Sequence, residues 1–379
     1  MKFAYIDALR GVAILSVIWF HCHLYHYSDP AFYSLMDTLG SPAAMGVQLF
    51  FVLSAFTLFL SQSQRKDTEH ARFNFFIRRF FRIAPMYYVA MAYYLWQDAY
   101  SYQQSLSTTI AYNKYGIIAN SLLLHGLSPV WINSIIPGGW SVGIEVLFYA
   151  MVPYLFTRIT TLNRAVLFTT AALLGGFVFT SALSQVPAIQ ANRQLNEYLF
   201  YYLPYQLPVF GCGIVAYYLV IRGERHIRLG VAIFAIGVLA FLILSKTVGK
   251  LFIPDLPHTL HLFGSLGFIL LIIGASRHMY PVRFFLINRL TRYVGKVSYS
   301  AYLTHFGVLF WMDRVIPQQL IPVHSVLTNM LNFHLKFLLI VLITVLISTV
   351  TYRLIEEPVQ QFGKRFLRRR VDREVLVAA

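Results

Sequence analysis

Charged side chains are scarce in this chain. Asp, Glu, Lys and Arg make up 12% of its 379 residues, against 58% hydrophobic residues. A soluble domain carries about 25% charged and about 45–50% apolar residues. A water-exposed protein of this composition would have too little polar surface to cover its core. A bilayer accepts the excess. Acidic residues are fewer still, 15 against 31 Lys and Arg, for a net charge of +16. That balance does not point to nucleic acid. The basic residues fall in short stretches between apolar runs and do not gather on one soluble face. Only two cysteines occur, Cys22 and Cys212, both inside apolar runs. They form no disulfide framework and no metal-type pair, so no metal is expected. Internal repeats and low-complexity segments are lacking too. The first apolar stretch has no small-residue cleavage site and carries Asp7 and Arg10. It reads as a retained helix.

Long apolar runs are what the chain does have. They fall at about 8–26, 43–61, 83–98, 141–157, 165–183, 200–221, 229–246, 258–275, 298–314 and 335–355. A helix needs about 20 residues, at a rise of about 1.5 Å each, to cross the hydrocarbon. The pattern predicts an all-α, polytopic integral membrane protein of about ten transmembrane helices. With both termini in the cytoplasm, 24 of the 31 basic residues fall on the inner side, 6 on the outer side, and Arg10 within the first helix. That asymmetry is what the positive-inside rule requires. The membrane domain is expected over 1–357, with a basic cytoplasmic tail over 358–379 along anionic lipid. The longest connection, 99–140, is expected outside. Its run 115–127 is too short to span and reads as a re-entrant or interfacial piece.

Ionisable groups within a membrane are expensive, which makes each a functional candidate. Arg10 and His21 are eleven residues apart, about three turns, so they share a side of one helix roughly 16 Å apart. Glu145 lies just inside the run that starts with Gly138-Gly139-Trp140-Ser141. Counted from the outer end of each helix, it falls at a depth similar to that of His21. A carboxylate beside an imidazole fixes its tautomer and raises its basicity. Equally, a protonated Glu145 hydrogen-bonding a neighbouring helix fits the position. Arg78, Arg79 and Arg82 cluster at the inner mouth of the third run, and at least one pair shares a face. Arginines of this kind suit phosphate groups or lipid head groups. Ser298, Tyr302 and His305 fall at i, i+4 and i+7 along one stripe, the pattern of a hydrogen-bonded packing motif. Glu356 and Glu357 are spaced for local ion pairs with Arg353.

Six segments in order resemble the acyltransferase type 3 family. They are Asp7-Ala8-Leu9-Arg10-Gly11 with His21, then Gly46 to Ser54, Arg78 to Pro85, Trp140 to Glu145, Val297 to His305, and Glu356-Glu357-Pro358. Two departures stand out: Ala55 where the family usually has Gly, and a single Glu145 where it usually has two acidic residues. The resemblance implies a membrane O-acyltransferase. It would move an acyl group, most often acetyl, from cytoplasmic acyl-CoA to a hydroxyl of an extracytoplasmic glycan or lipid-linked sugar at the cell membrane. Arg10, Arg78, Arg79 and Arg82 would hold the CoA phosphates. His21 would serve as general base or transient acyl carrier, oriented by Glu145. Cys22, a rival carrier, points about 100° away from His21. A secondary transporter or lipid-linked sugar flippase is the competing reading of buried ionisable groups, although no inverted repeat is visible.

Overall fold

The computed structural model describes residues 4–24, 43–64, 70–223, 260–277, 282–317, 319–322 and 325–378, together with Met279. Among them every regular element is helical. A chain inside lipid must satisfy its backbone hydrogen bonds within each segment, and helices do this. The main helices are α1 (Ala4–Leu24), α2 (Gly46–Ser63), α3 (Ala71–Ser101), α4 (Trp140–Arg158), α5 (Leu162–Ser184) and α6 (Leu203–Tyr217). They continue with α7 (Leu260–Ser276), α8 (Arg289–Lys296), α9 (Ser298–Val315), α10 (Val326–Thr351) and α11 (Glu357–Ala378).

Six stretches among the described residues are long and apolar enough to cross a membrane: Ala4–Cys22, Ala43–Ser63, Trp140–Arg158, Leu162–Ser184, Arg193–Arg222 and Val326–Arg368. They account for six of the ten expected runs. The runs at 83–98 and 298–314 are helical, within α3 and α9, but these helices carry too many polar side chains to stand with the six. The run at 258–275 appears as a shorter apolar helix, Gly264–Ser276. The run at 229–246 lies outside the described residues.

Without water to drive apolar faces together, helices in lipid pack through small residues that let backbones touch. A Cβ on Gly11 would lie 2.0 Å from the Thr291 carbonyl oxygen, and one on Gly295 would lie 1.6 Å from that of Asp7. Thus α1 and α8 meet backbone to backbone beside Arg10. Gly213 of α6 makes the same approach to α2, 2.2 Å from the Val52 carbonyl oxygen. Around these contacts Phe51, Phe148 and Phe210 stack, with ring centroids 4.5 and 4.0 Å apart.

The segment before α4 is sunk into the bundle. His125 is fully buried and stacks on Tyr87 of α3, centroids 5.4 Å apart. Its Nε2 lies 2.9 Å from the Gly139 carbonyl oxygen. The backbone of Gly126 packs against that of Gly143. Ile132, Ile135 and Ile136 are buried as well. Therefore α4 begins within the protein, well below the surface.

The far end of α10 runs into a π turn, Tyr352–Glu356. This turn carries Glu356 inward, where it accepts the Ser300 hydroxyl of α9. Glu357 reaches Lys296 at 3.9 Å. The local pairs expected with Arg353 are not formed among the described residues, because the same turn leaves Arg353 exposed.

Candidate active site

Two helices supply the cations. Arg10 on α1 lies 3.6 Å from Asp7 Oδ1 and donates to Thr57 Oγ1 at 3.4 Å. Arg79 on α3 sits over the rings of Phe75 and Tyr149, at 5.5 and 5.6 Å. Arg82 follows one turn along. These three guanidinium groups line an open cavity, which Ser54, Thr57, Glu145, Tyr149 and Tyr302 also line. Arg78 is half-buried and does not line it. Arg78 and Arg79 flank Arg82 around the helix, at about 40° and about 60°, and the packing of α3 turns the Arg79 side to the cavity. Three cations against Glu145 in the lining and Asp7 beside Arg10 still leave the cavity with excess positive charge, suited to a phosphorylated ligand. No metal-holding group of His, Cys, Asp and Glu occurs among the described residues.

Glu145 belongs to this cavity. It accepts hydrogen bonds from the Ser54 hydroxyl and, at 2.7 Å, from the Tyr149 hydroxyl. The expected pairing with His21 is not formed; His21 is paired with His305 instead. Depth counted from the end of α4 misled because that helix starts inside the bundle. Gly138, just before it, accepts from the Tyr302 hydroxyl at 2.9 Å. Ser141 donates to the same hydroxyl at 2.8 Å. One turn further in, Glu145 is already among the arginines.

His21 Nδ1 and His305 Nε2 are 3.2 Å apart. His305 is fully buried, and its Nδ1 lies 2.6 Å from the Tyr302 carbonyl oxygen. Phe306 packs against both rings, centroids 4.3 Å from His21 and 4.2 Å from His305. A neutral imidazole carries one N–H, and a carbonyl only accepts. His305 therefore donates through Nδ1 and offers the lone pair of Nε2. His21 must then donate through its own Nδ1, which leaves its Nε2 as the basic nitrogen.

Tyr302 joins the two halves. Its ring lines the arginine cavity and its carbonyl holds His305. Neither His21 nor His305 lines the cavity itself; Tyr302 does, with Phe50 beside it at 6.2 Å between ring centroids, and the His305 ring lies 5.7 Å from the Tyr302 ring. Cys22 is buried in the apolar core. Sequence reasoning missed His305 as the partner of His21, and Ser54 and Tyr149 as the partners of Glu145. The i, i+4, i+7 stripe through Ser298, Tyr302 and His305 was the available signal.

A family model described as an acyltransferase domain, the type 3 family, matches residues 3–353. A protein of Acidianus two-tailed virus named "Putative acetyltransferase" is 22% identical over 304 residues, covering 79% of this chain and 81% of that protein. No solved structure matches.

Proposed function

The chain belongs to the acyltransferase type 3 family, and on that premise we propose that it is a membrane O-acyltransferase using acyl-CoA, with acetyl as the acyl group and a glycan or lipid-linked sugar hydroxyl as acceptor. The observation that carries this reading is the junction at Tyr302. Tyr302 lines the cavity that holds three arginines, and the imidazole pair hangs from its carbonyl. Arg10, Arg79 and Arg82 hold the CoA phosphates at the cytoplasmic side. The pantetheine arm extends along the cavity and carries the thioester past Tyr302 to His21.

His21 Nε2 takes the proton of the acceptor hydroxyl as its oxygen attacks the thioester carbonyl carbon. A C–O bond forms, the C–S bond breaks, and the departing CoA sulfur takes the proton back from His21. The products are the ester and free CoA. Glu145 anchors Ser54 and Tyr149 and balances charge among the arginines.

The test is release of free CoA from radiolabelled acetyl-CoA by the purified full chain, with a polysaccharide acceptor. Release should depend on the acceptor and fall by about 10²- to 10⁴-fold in His21→Ala, the share a general base contributes. Arg82→Ala should raise KM for acetyl-CoA. Full turnover in His21→Ala would overturn the role given to that residue.

A further inference from the structure

We propose that His305 is a positioning residue that fixes the tautomer of His21, so that Nε2 of His21 faces the acceptor as a base. This rests on the reading of His21 as the general base. The chain of bonds runs in one direction: His305 Nδ1–H to the Tyr302 carbonyl at 2.6 Å, then His21 Nδ1–H to His305 Nε2 at 3.2 Å. A backbone carbonyl cannot reverse its role, so the first bond dictates the second. Complete burial of His305 and the Phe306 ring against both imidazoles hold the arrangement in place.

The pair also serves after proton transfer. When Nε2 of His21 takes the acceptor proton, the cationic ring still donates through Nδ1 to His305. That hydrogen bond, now charge-assisted, strengthens as the reaction proceeds. A neutral imidazole thus takes the place of the carboxylate that commonly orients a catalytic histidine. This is consistent with the location of Glu145, which is committed to Ser54 and Tyr149. One competitor exists. The Val17 backbone, one turn back on α1, also acts on the His21 ring. Were the Val17 carbonyl to accept from Nδ1–H, it alone would select the same tautomer.

The experiment separates these cases with His305→Phe and His305→Gln in the full chain. Phe fills the space without an acceptor, while the Gln side-chain oxygen reaches the position of Nε2 and accepts. ¹⁵N spectra of protein labelled at histidine report the tautomer, with the His21 signals assigned by their loss in His21→Gln. CoA release from acetyl-CoA reports turnover, with water or methyl glucoside taking the acetyl group.

The expected result is an Nδ1–H His21 in wild type and in His305→Gln, and a mixed or Nε2–H ring in His305→Phe. Turnover should fall by about 10²- to 10⁴-fold in His305→Phe, with KM unchanged, and recover at least tenfold in His305→Gln. An Nε2–H His21 in wild type overturns the proposal. So does a His305→Phe protein that keeps both tautomer and kcat, because Val17 would then suffice. Failure of the acyl-transfer reading looks different: His21→Ala keeps its turnover while the spectra remain as expected.

Discussion

The contact between α1 and α8 makes a strong prediction. Replacing Gly295 with Ala places a methyl group 1.6 Å from the Asp7 carbonyl oxygen and 2.9 Å from the Gly11 nitrogen. Ordinary contact starts at 3.4 Å, so the two helices must part by about 1.8 Å. The obstacle is backbone, which cannot swing aside as a side chain does. Overpacking commonly costs about 1–3 kcal/mol, and this site belongs at the upper end of that range. The displacement also reaches the chemistry, because α1 carries both Arg10 and His21. A misplacement of about 1 Å can slow a positioned reaction about 10²-fold. Gly295→Ala should therefore lower the Tm of the detergent-solubilised protein and cut acetyl-CoA cleavage by about that factor. Gly11→Ala should act in the same way. The double variant should cost less than the two singles together, since the first methyl already separates the helices. Gly175, exposed and with nothing within 4 Å of a new Cβ, is the control. Its Ala variant should match or exceed wild-type stability. A Gly295→Ala protein with wild-type Tm and turnover would refute the close approach.

Other outcomes follow from the site. Tyr302→Phe removes the bonds to Gly138 and Ser141 but keeps the carbonyl that holds His305. It should cost about 1–3 kcal/mol of stability and change kcat less than tenfold; a loss like that of His21→Ala would mean the hydroxyl itself takes part. Glu145→Gln removes a negative charge among three arginines while keeping an acceptor for Tyr149. CoA should bind roughly fivefold tighter, about 1 kcal/mol, with kcat little changed. A collapse of kcat at unaltered affinity would return Glu145 to the reaction centre. Burial pulls the His125 imidazole below its ordinary value of 6.5. It stays neutral when folded, and the unfolded chain gains the proton first. Its stabilisation is complete above about pH 6.5 and declines as the pH falls below that. Between pH 7.5 and 5.5, Tm should drop more in wild type than in His125→Phe; equal drops would exclude His125 as the cause.

The helical, membrane-embedded character was legible because apolar runs of spanning length survive any local ambiguity. The shared side of Arg10 and His21 was legible too, being fixed by spacing within one helix. Phase between helices was not. Spacing alone left Arg78 as good a candidate as Arg79, and only the packing of α3 chose the face carrying Arg79 and Arg82. Depth failed for Glu145 because the count assumed a helix starting at the surface. The buried segment around His125 and Ile136 places that start inside the bundle. His305 was hidden for a related reason: its partner lies 284 residues away, and one helix stripe does not announce what faces it.

The most direct measurement is acceptor-dependent release of CoA from acetyl-CoA by purified wild-type protein beside His21→Ala and Arg79→Ala. The account predicts turnover in wild type, loss of kcat in the first variant, and raised KM with a largely retained kcat in the second. No CoA release from wild type with any hydroxyl acceptor, alongside no measurable affinity for CoA, would contradict it.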